Sequence, residues 1–168
     1  MKFKMHDAKL VVTPLAQHVK LTKDQAPQTE DERRHMDSIP YADCVGCLMY
    51  VMVCTRLDLA YAMSIISRFI TDPGPKHWDV VKWVMMYVIG SLNLGLVYKE
   101  DEKRCREVEG FVESDYAGCI DTRRLLTGYI FTALGGCIRW KSNLQSVVAL
   151  SSTEAEYMAA IEAIKEAI

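Results

Sequence analysis

The chain has 168 residues, half of them hydrophobic and a quarter charged, with a net charge of −2. This balance fits one globular domain or two small ones with a real core, and it excludes a low-complexity chain. The sequence pI of about 6.1 argues against a free-standing, strongly basic nucleic-acid binder.

No apolar run approaches the ~18 residues of a membrane helix. The longest, Cys47 to Cys54, stops at Thr55-Arg56, and the first seven residues lack the apolar core of a secretion signal. No membrane partner is expected. An intracellular, reducing setting follows, either a cytoplasmic particle or the nucleus, with the six cysteines as thiols.

Residues 1–40 read as an extended linker. Pro14, Pro27 and Pro40 punctuate it, and Lys20 to Arg34 is charged, with one short helical turn predicted at Glu30 to Met36. Residues 41–92 have helical periodicity. Val45, Leu48, Met49, Met52 and Val53 share one helical face, and Leu59, Met63, Ile66 and Phe69 continue the pattern. Asp72-Pro73-Gly74-Pro75 breaks the helix, and Trp78, Val81, Val84, Met85 and Val88 form the next one, ending near Gly90.

From residue 93 the period shortens. Leu94 to Tyr98 reads as a strand and Lys99 to Arg106 as a charged turn. Val108 to Asp115 reads as a second strand, and Gly128 to Leu134 with Cys137 to Lys141 as a hairpin around Gly135-Gly136. A final helix starts at about Ser152, with Ser151 and Glu154 as its capping box and Tyr157, Ala160, Ile161, Ile164 and Ile168 as its buried stripe.

Glu113 and Asp115 are two apart on a strand and therefore share a face. Glu156 flanks the stripe of the last helix. Carboxylates brought together in this way repel unless a divalent cation sits between them, which is the logic of two-metal phosphodiester hydrolysis. The bland alternative is solvated acids, with Glu154 explained by capping alone. Cys44-Val45-Gly46-Cys47 has metal-ligand spacing but no second half-site, so packed helical thiols are expected, and the four histidines share no ligand spacing. Tyr41-Ala42-Asp43-Cys44 imitates a polymerase turn, but Cys44 stands where a second aspartate is required and the segment opens a helix.

The order of motifs is more specific. Gly110-Phe111-Val112-Glu113-Ser114-Asp115-Tyr116-Ala117-Gly118 is followed by Asp121-Thr122-Arg123-Arg124, Thr127-Gly128-Tyr129 and Trp140-Lys141-Ser142, then by Val148 through Tyr157. This succession resembles the ribonuclease H domain of copia-type LTR-retrotransposon Pol polyproteins. The upstream Gly46-Cys47-Leu48-Met49-Tyr50, Cys54-Thr55-Arg56-Leu57-Asp58 and His77-Trp78 resemble the helical segment after the polymerase core of the same polyproteins.

The resemblance implies an α/β fold. A thumb- or connection-like helical segment over 41–92 precedes a partial ribonuclease-H-like, mixed but mainly antiparallel sheet with one covering helix over 93–168. It also implies Mg²⁺-dependent hydrolysis of RNA in RNA–DNA hybrids, the rest of the Pol polyprotein as partner, and metal ligands at Glu113 and Glu156, with Asp115 as a substitute catalytic carboxylate. Arg123, Arg124 and Lys141 are candidate contacts to a hybrid backbone and Ser152, within Ser151 to Thr153, to 2′-hydroxyls, the alternative being a solvated hairpin edge with a helix cap. Glu113 stands where the family has aspartate, Cys119 where an acid is common and Leu57 where proline is usual. The last two acids of the pattern lie beyond Ile168. Hybrid cleavage is therefore expected to be lost in this chain alone. The rival reading is a non-catalytic tethering or protein-interaction module.

Overall fold

The computed structural model describes residues 9–16, 19–98, 107–116 and 118–168. The chain divides into two compact units, Met1–Leu94 and Gly95–Ile168. Among the described residues, no single helix is long and apolar enough to cross a membrane.

The first unit is helical. Its helices are α1 (Glu30–Asp37), α2 (Tyr41–Cys54), α3 (Ala60–Ile66) and α4 (Pro75–Gly90), with short 3-10 turns at Lys23–Gln25, Leu57–Leu59 and Ser67–Phe69. Helix α1 is stabilised locally. Thr29 accepts from the Glu32 amide, Glu32 accepts from the Gln28 amide, and acids in the first turn with Arg34 and His35 in the last complement the helix dipole.

Tyr41, Cys44, Val45 and Leu48 turn inward from α2. They meet Leu59, Ala62, Met63 and Ile66 of the α3 region and Val80, Val81 and Val84 of α4. The Tyr41 hydroxyl donates to the Ile66 carbonyl (2.9 Å), and the Cys44 sulfur lies 3.1 Å from that of Met85. These contacts fix the rotation of α2 and leave Met49, Val53 and Cys47 exposed, against the expectation that Met49 and Val53 are core and Cys47 is packed.

The stretch read as an extended linker also departs from expectation. Val11, Leu15, Val19, Leu21 and Ile39 pack on the helical core, and Ala16 and Met36 are buried. A polar composition hid apolar side chains spaced too irregularly to register as a helix or a strand. Polar and close backbone contacts tie this segment down. The fully buried His77 ring stacks on Phe69 (centroids 4.0 Å apart), accepts from the Gly74 amide through Nδ1 (2.8 Å), and so donates through Nε2 to the Thr22 carbonyl (3.1 Å). Gly74 permits the approach, because a Cβ there would lie 1.8 Å from the Gln25 carbonyl oxygen.

The second unit is a three-stranded antiparallel sheet in the order β1 (Glu109–Asp115), β2 (Leu126–Ala133), β3 (Gly136–Leu144), with helix α5 (Ser152–Ala167) against it. No mixed pairing occurs among the described residues. Leu94 to Tyr98 is not a strand. Tyr98 instead lays its ring beside Gly136 and donates its hydroxyl to the Cys137 carbonyl (2.6 Å). The turn expected over Lys99 to Arg106 lies outside the described residues.

The β2–β3 turn falls on Leu134-Gly135, one residue earlier than Gly135-Gly136, with φ of 53° and 72°. Both central residues are thus left-handed, as a two-residue hairpin of the I′ kind demands. Leucine is poorly suited to that conformation. Leu134→Asn is expected to stabilise the second unit by about 1 kcal/mol, the usual penalty of a left-handed non-glycine residue. Urea titration checks this, and an unchanged or lowered midpoint would refute it.

Candidate nucleic-acid interface

Strand register assigns each side chain to a face of the sheet, because directly paired residues point to the same side. Val112 pairs with Tyr129, and Tyr129 with Lys141. These residues face α5, since the Tyr129 hydroxyl donates to Glu166 Oε2 (2.8 Å) and Lys141 Nζ lies 3.7 Å from Glu162 Oε1. Glu113 pairs with Gly128, and Gly128 with Ser142, on the opposite face. The structure therefore does not bring Glu113 and Glu156 together. Glu113 turns away from the helix that carries Glu156, and both side chains are exposed.

Helix α5 meets the sheet through Ala155, Ala159 and Ala163. The expected stripe of Tyr157, Ile164 and Ile168 is exposed instead, with Ile161 half-buried. Two effects choose this rotation. Alanines allow a closer approach to the sheet than isoleucines do. The acids Glu162 and Glu166, one turn apart, also match the basic residues Lys141 and Arg139, two apart on β3.

Glu166 is paired by Arg139 Nη2 as well as by Tyr129. Burial first, and then the Glu166 carboxylate, push the Tyr129 hydroxyl up to about 12. The Tyr129 hydrogen bond, with Arg139 adding to it against a smaller opposing effect of burial, holds Glu166 below the usual carboxylate range. A depressed carboxylate contributes stability above its unfolded pKa and loses it as pH falls through the folded value. Glu166→Ala is thus expected to lower the melting temperature of the second unit at neutral pH. The difference from wild type should shrink through the acidic range. A difference independent of pH would contradict the electrostatic account.

The capping expectation holds. Ser151 Oγ accepts from the Glu154 amide (3.1 Å), and Glu154 Oε2 accepts from the Leu150 amide (2.7 Å), one residue further back than in the usual box. Asp115, at the end of β1, lays its carboxylate over Gly118, where a Cβ would come within 2.5 Å of Oδ2. Arg123 (φ 56°) and Arg124 sit exposed in a tight loop. The Arg123 amide donates to the Cys119 carbonyl (2.7 Å), and the Cys119 amide donates to the Arg124 carbonyl (3.1 Å).

Topology gathers several of these groups. The C-terminal end of β1 (Glu113, Asp115), the loop entering β2 (Arg123, Arg124) and the end of β3 lie at one end of the sheet, because Asp115, Leu126 and Leu144 are paired across it. The start of α5, with exposed Ser152, joins that end through the contact of Leu125 with Ala149 and Ala155. Lys141 does not belong to this group, since its charge is directed to Glu162 and the Tyr129 ring. No group of three or more His, Cys, Asp or Glu among the described residues is placed to hold a metal ion.

No family model matches the chain, and no solved structure does. It is 47% identical over 167 residues to the retrovirus-related Pol polyprotein from transposon TNT 1-94 of Nicotiana tabacum, an alignment covering 99% of this chain and 12% of that protein. It is 33% identical over 153 residues to the Pol polyprotein from transposon RE2 of Arabidopsis thaliana, covering 91% of this chain and 10% of the relative. The chain thus corresponds to about a tenth of the length of these polyproteins. A third relative, the secreted RxLR effector protein 161 of Plasmopara viticola, is 43% identical over 133 residues, 79% of this chain and 92% of its own length. The chain belongs to the retrovirus-related Pol polyproteins of copia-type LTR retrotransposons.

Proposed function

We propose that the Gly95–Ile168 unit engages RNA–DNA hybrids during retrotransposon replication, as the opening part of a ribonuclease-H-like domain, and that alone it binds without cutting. The gathering of Arg123, Arg124 and Ser152 at one end of the sheet carries this reading. Two exposed guanidinium groups on a closed loop suit phosphate oxygens, and a hydroxyl at a helix start suits a sugar hydroxyl or phosphate. The Pol relatives support this setting, and the family resemblance implies reverse transcription with removal of the copied RNA.

Cutting needs carboxylates that converge on metal ions. Here Glu113 and Glu156 belong to different sides of the sheet, and Asp115 covers Gly118. Mg²⁺ binding by the isolated chain is therefore expected to be weak by calorimetry and insensitive to Glu156→Gln.

The test is a labelled RNA–DNA hybrid with Mg²⁺ or Mn²⁺, read for binding by anisotropy and for cleavage on a gel. Salt-dependent binding without cleavage is expected. Arg123→Ala with Arg124→Ala should flatten the salt slope by roughly two phosphate contacts. Glu113→Asp should not restore cleavage. Cleavage by the wild-type chain that disappears in Glu156→Gln would overturn the non-cutting reading. Absence of any hybrid binding at low salt would overturn the whole assignment.

A further inference from the structure

The strongest apolar periodicity in α5 points outward. Tyr157 (68% exposed), half-buried Ile161 and Ile164 (59%), with Ile168 just past the helix end, recur at i, i+4, i+7 and i+11, the seam spacing of a helix pair. The opposite face, Ala155, Ala159 and Ala163, is already used against the sheet. A surface helix ordinarily turns polar residues outward, so this one has a second apolar face, which no element covers among the described residues.

We propose that this face pairs antiparallel with the same face of a second copy of the chain. Charge selects that occupant and orientation. At 100° per residue, Glu154 and Lys165 lie on the same flank of the stripe, at opposite ends of the helix. In an antiparallel pair related by a two-fold axis near Ala160, equal flanks meet, so Glu154 of each copy faces Lys165 of the other, twice. Tyr157 of one copy then rests against Ile161 and Ile164 of its partner. A parallel pair sets unlike flanks together and places Glu154 beside Glu156. The helix dipoles also oppose a parallel pair and favour the antiparallel one. Glu154 accepts from the Leu150 amide through Oε2, and a carboxylate accommodates an ammonium as well.

The sheet already holds α5 folded, so pairing incurs no helix-forming cost. Sixteen residues offer less than the roughly 1,200 Å² of a stable interface, so a weak, concentration-dependent dimer follows.

Sedimentation equilibrium of the full chain across a wide concentration range tests this inference, which is independent of the hybrid-binding reading. The mass should rise from 19.1 kDa toward twice that value. Ile164→Glu, at an exposed position outside the core, should raise the dissociation constant at least about tenfold, as loss of one apolar anchor does. Glu154→Lys should weaken association, and adding Lys165→Glu should restore it. That restoration cannot come from the cap, which Glu154→Lys has already removed. A chain monomeric throughout, a dimer indifferent to Ile164→Glu, or a charge-reversed pair no stronger than the single change would each overturn the proposal.

Discussion

Asp58→Ala is expected to cost about 3 kcal/mol at neutral pH, the low end of what breaking a buried ion pair costs, because Asp58 keeps a third of its surface exposed (34%). The cost arises at Arg56, whose side chain is only 5% exposed. Its guanidinium donates to both Asp58 oxygens (3.0 and 2.8 Å), to the Ser91 carbonyl (3.0 Å) and to the Ser91 hydroxyl (2.7 Å). It also stacks over the Tyr87 ring, 5.3 Å from its centre, while the Tyr87 hydroxyl donates to Asp58 (2.7 Å). The network closes the loop after α2 onto the C-terminal end of α4, where Ser91 is the capping residue.

Removing Asp58 leaves a buried cation among neutral acceptors. Removing both charges should be far milder, so Arg56→Met with Asp58→Ala is expected to recover much of the loss. Burial pulls the Asp58 carboxyl upward, but the Arg56 and Tyr87 hydrogen bonds outweigh it and hold the group below its ordinary value. Its stabilisation is therefore complete above the unfolded carboxylate pKa and disappears as pH falls through the lower folded value. Urea midpoints of wild type and Asp58→Ala should converge under strongly acidic conditions. A gap below 1 kcal/mol at neutral pH, or one unchanged in acid, would dismiss the network as a stabilising element.

The helical core was legible in the sequence. Leu59, Met63, Ile66 and Phe69 are buried as their spacing demands, and so are Val81, Val84 and Met85. Local chemistry was legible too, since the Ser151 cap, the α1 turn and the three strands that form all have strong short-range signals. Rotations were not. Periodicity says that a helix has an apolar face, but α5 has two, and the polar partners decide which one meets the sheet. The acidic pair Glu162 and Glu166, matched to Lys141 and Arg139, held that information. Matching a period of four on a helix to a period of two on a strand would have found it. The strand read at Leu94 to Tyr98 failed for a different reason. Short apolar runs satisfy strand propensity, yet a strand also needs a partner to share hydrogen bonds, and Tyr98 is bound through its side chain.

The candidate site was legible in part for the same reason. Arg123, Arg124 and Ser152 are exposed at one end of the sheet. Lys141 was claimed by a long-range ion pair. Glu113 and Asp115 do share a face, as their spacing predicts, but only the cross-strand pairing with Gly128 reveals that it is the face away from α5.

Leu125→Ala is expected to destabilise the second unit severely while sparing the first. Leu125 is fully buried and is the one large, fully buried side chain of its cluster among the described residues, packed with Ala149, Ala155 and half-buried Met158. Its carbonyl also accepts from the Gln145 amide (2.9 Å), which joins the start of β2 to the segment leading into α5. Truncating a buried leucine costs about 2–5 kcal/mol, and a unit of this size has only about 4–11 kcal/mol in total. What then holds α5 on the sheet is its alanines, half-buried Met158 and the polar pairs of Glu162 and Glu166. The first unit draws on the separate cluster built from Leu59, Met63, Ile66 and Val84 and should be untouched. Hydrogen exchange on the full chain resolves the two. Amides of β2, β3 and α5 should lose protection in Leu125→Ala while those of α2 and α4 keep it, and Leu59→Ala should reverse the pattern. Simultaneous loss across both units would mean that they unfold as one, and full protection in β2 would mean that the core of the second unit lies elsewhere than around Leu125.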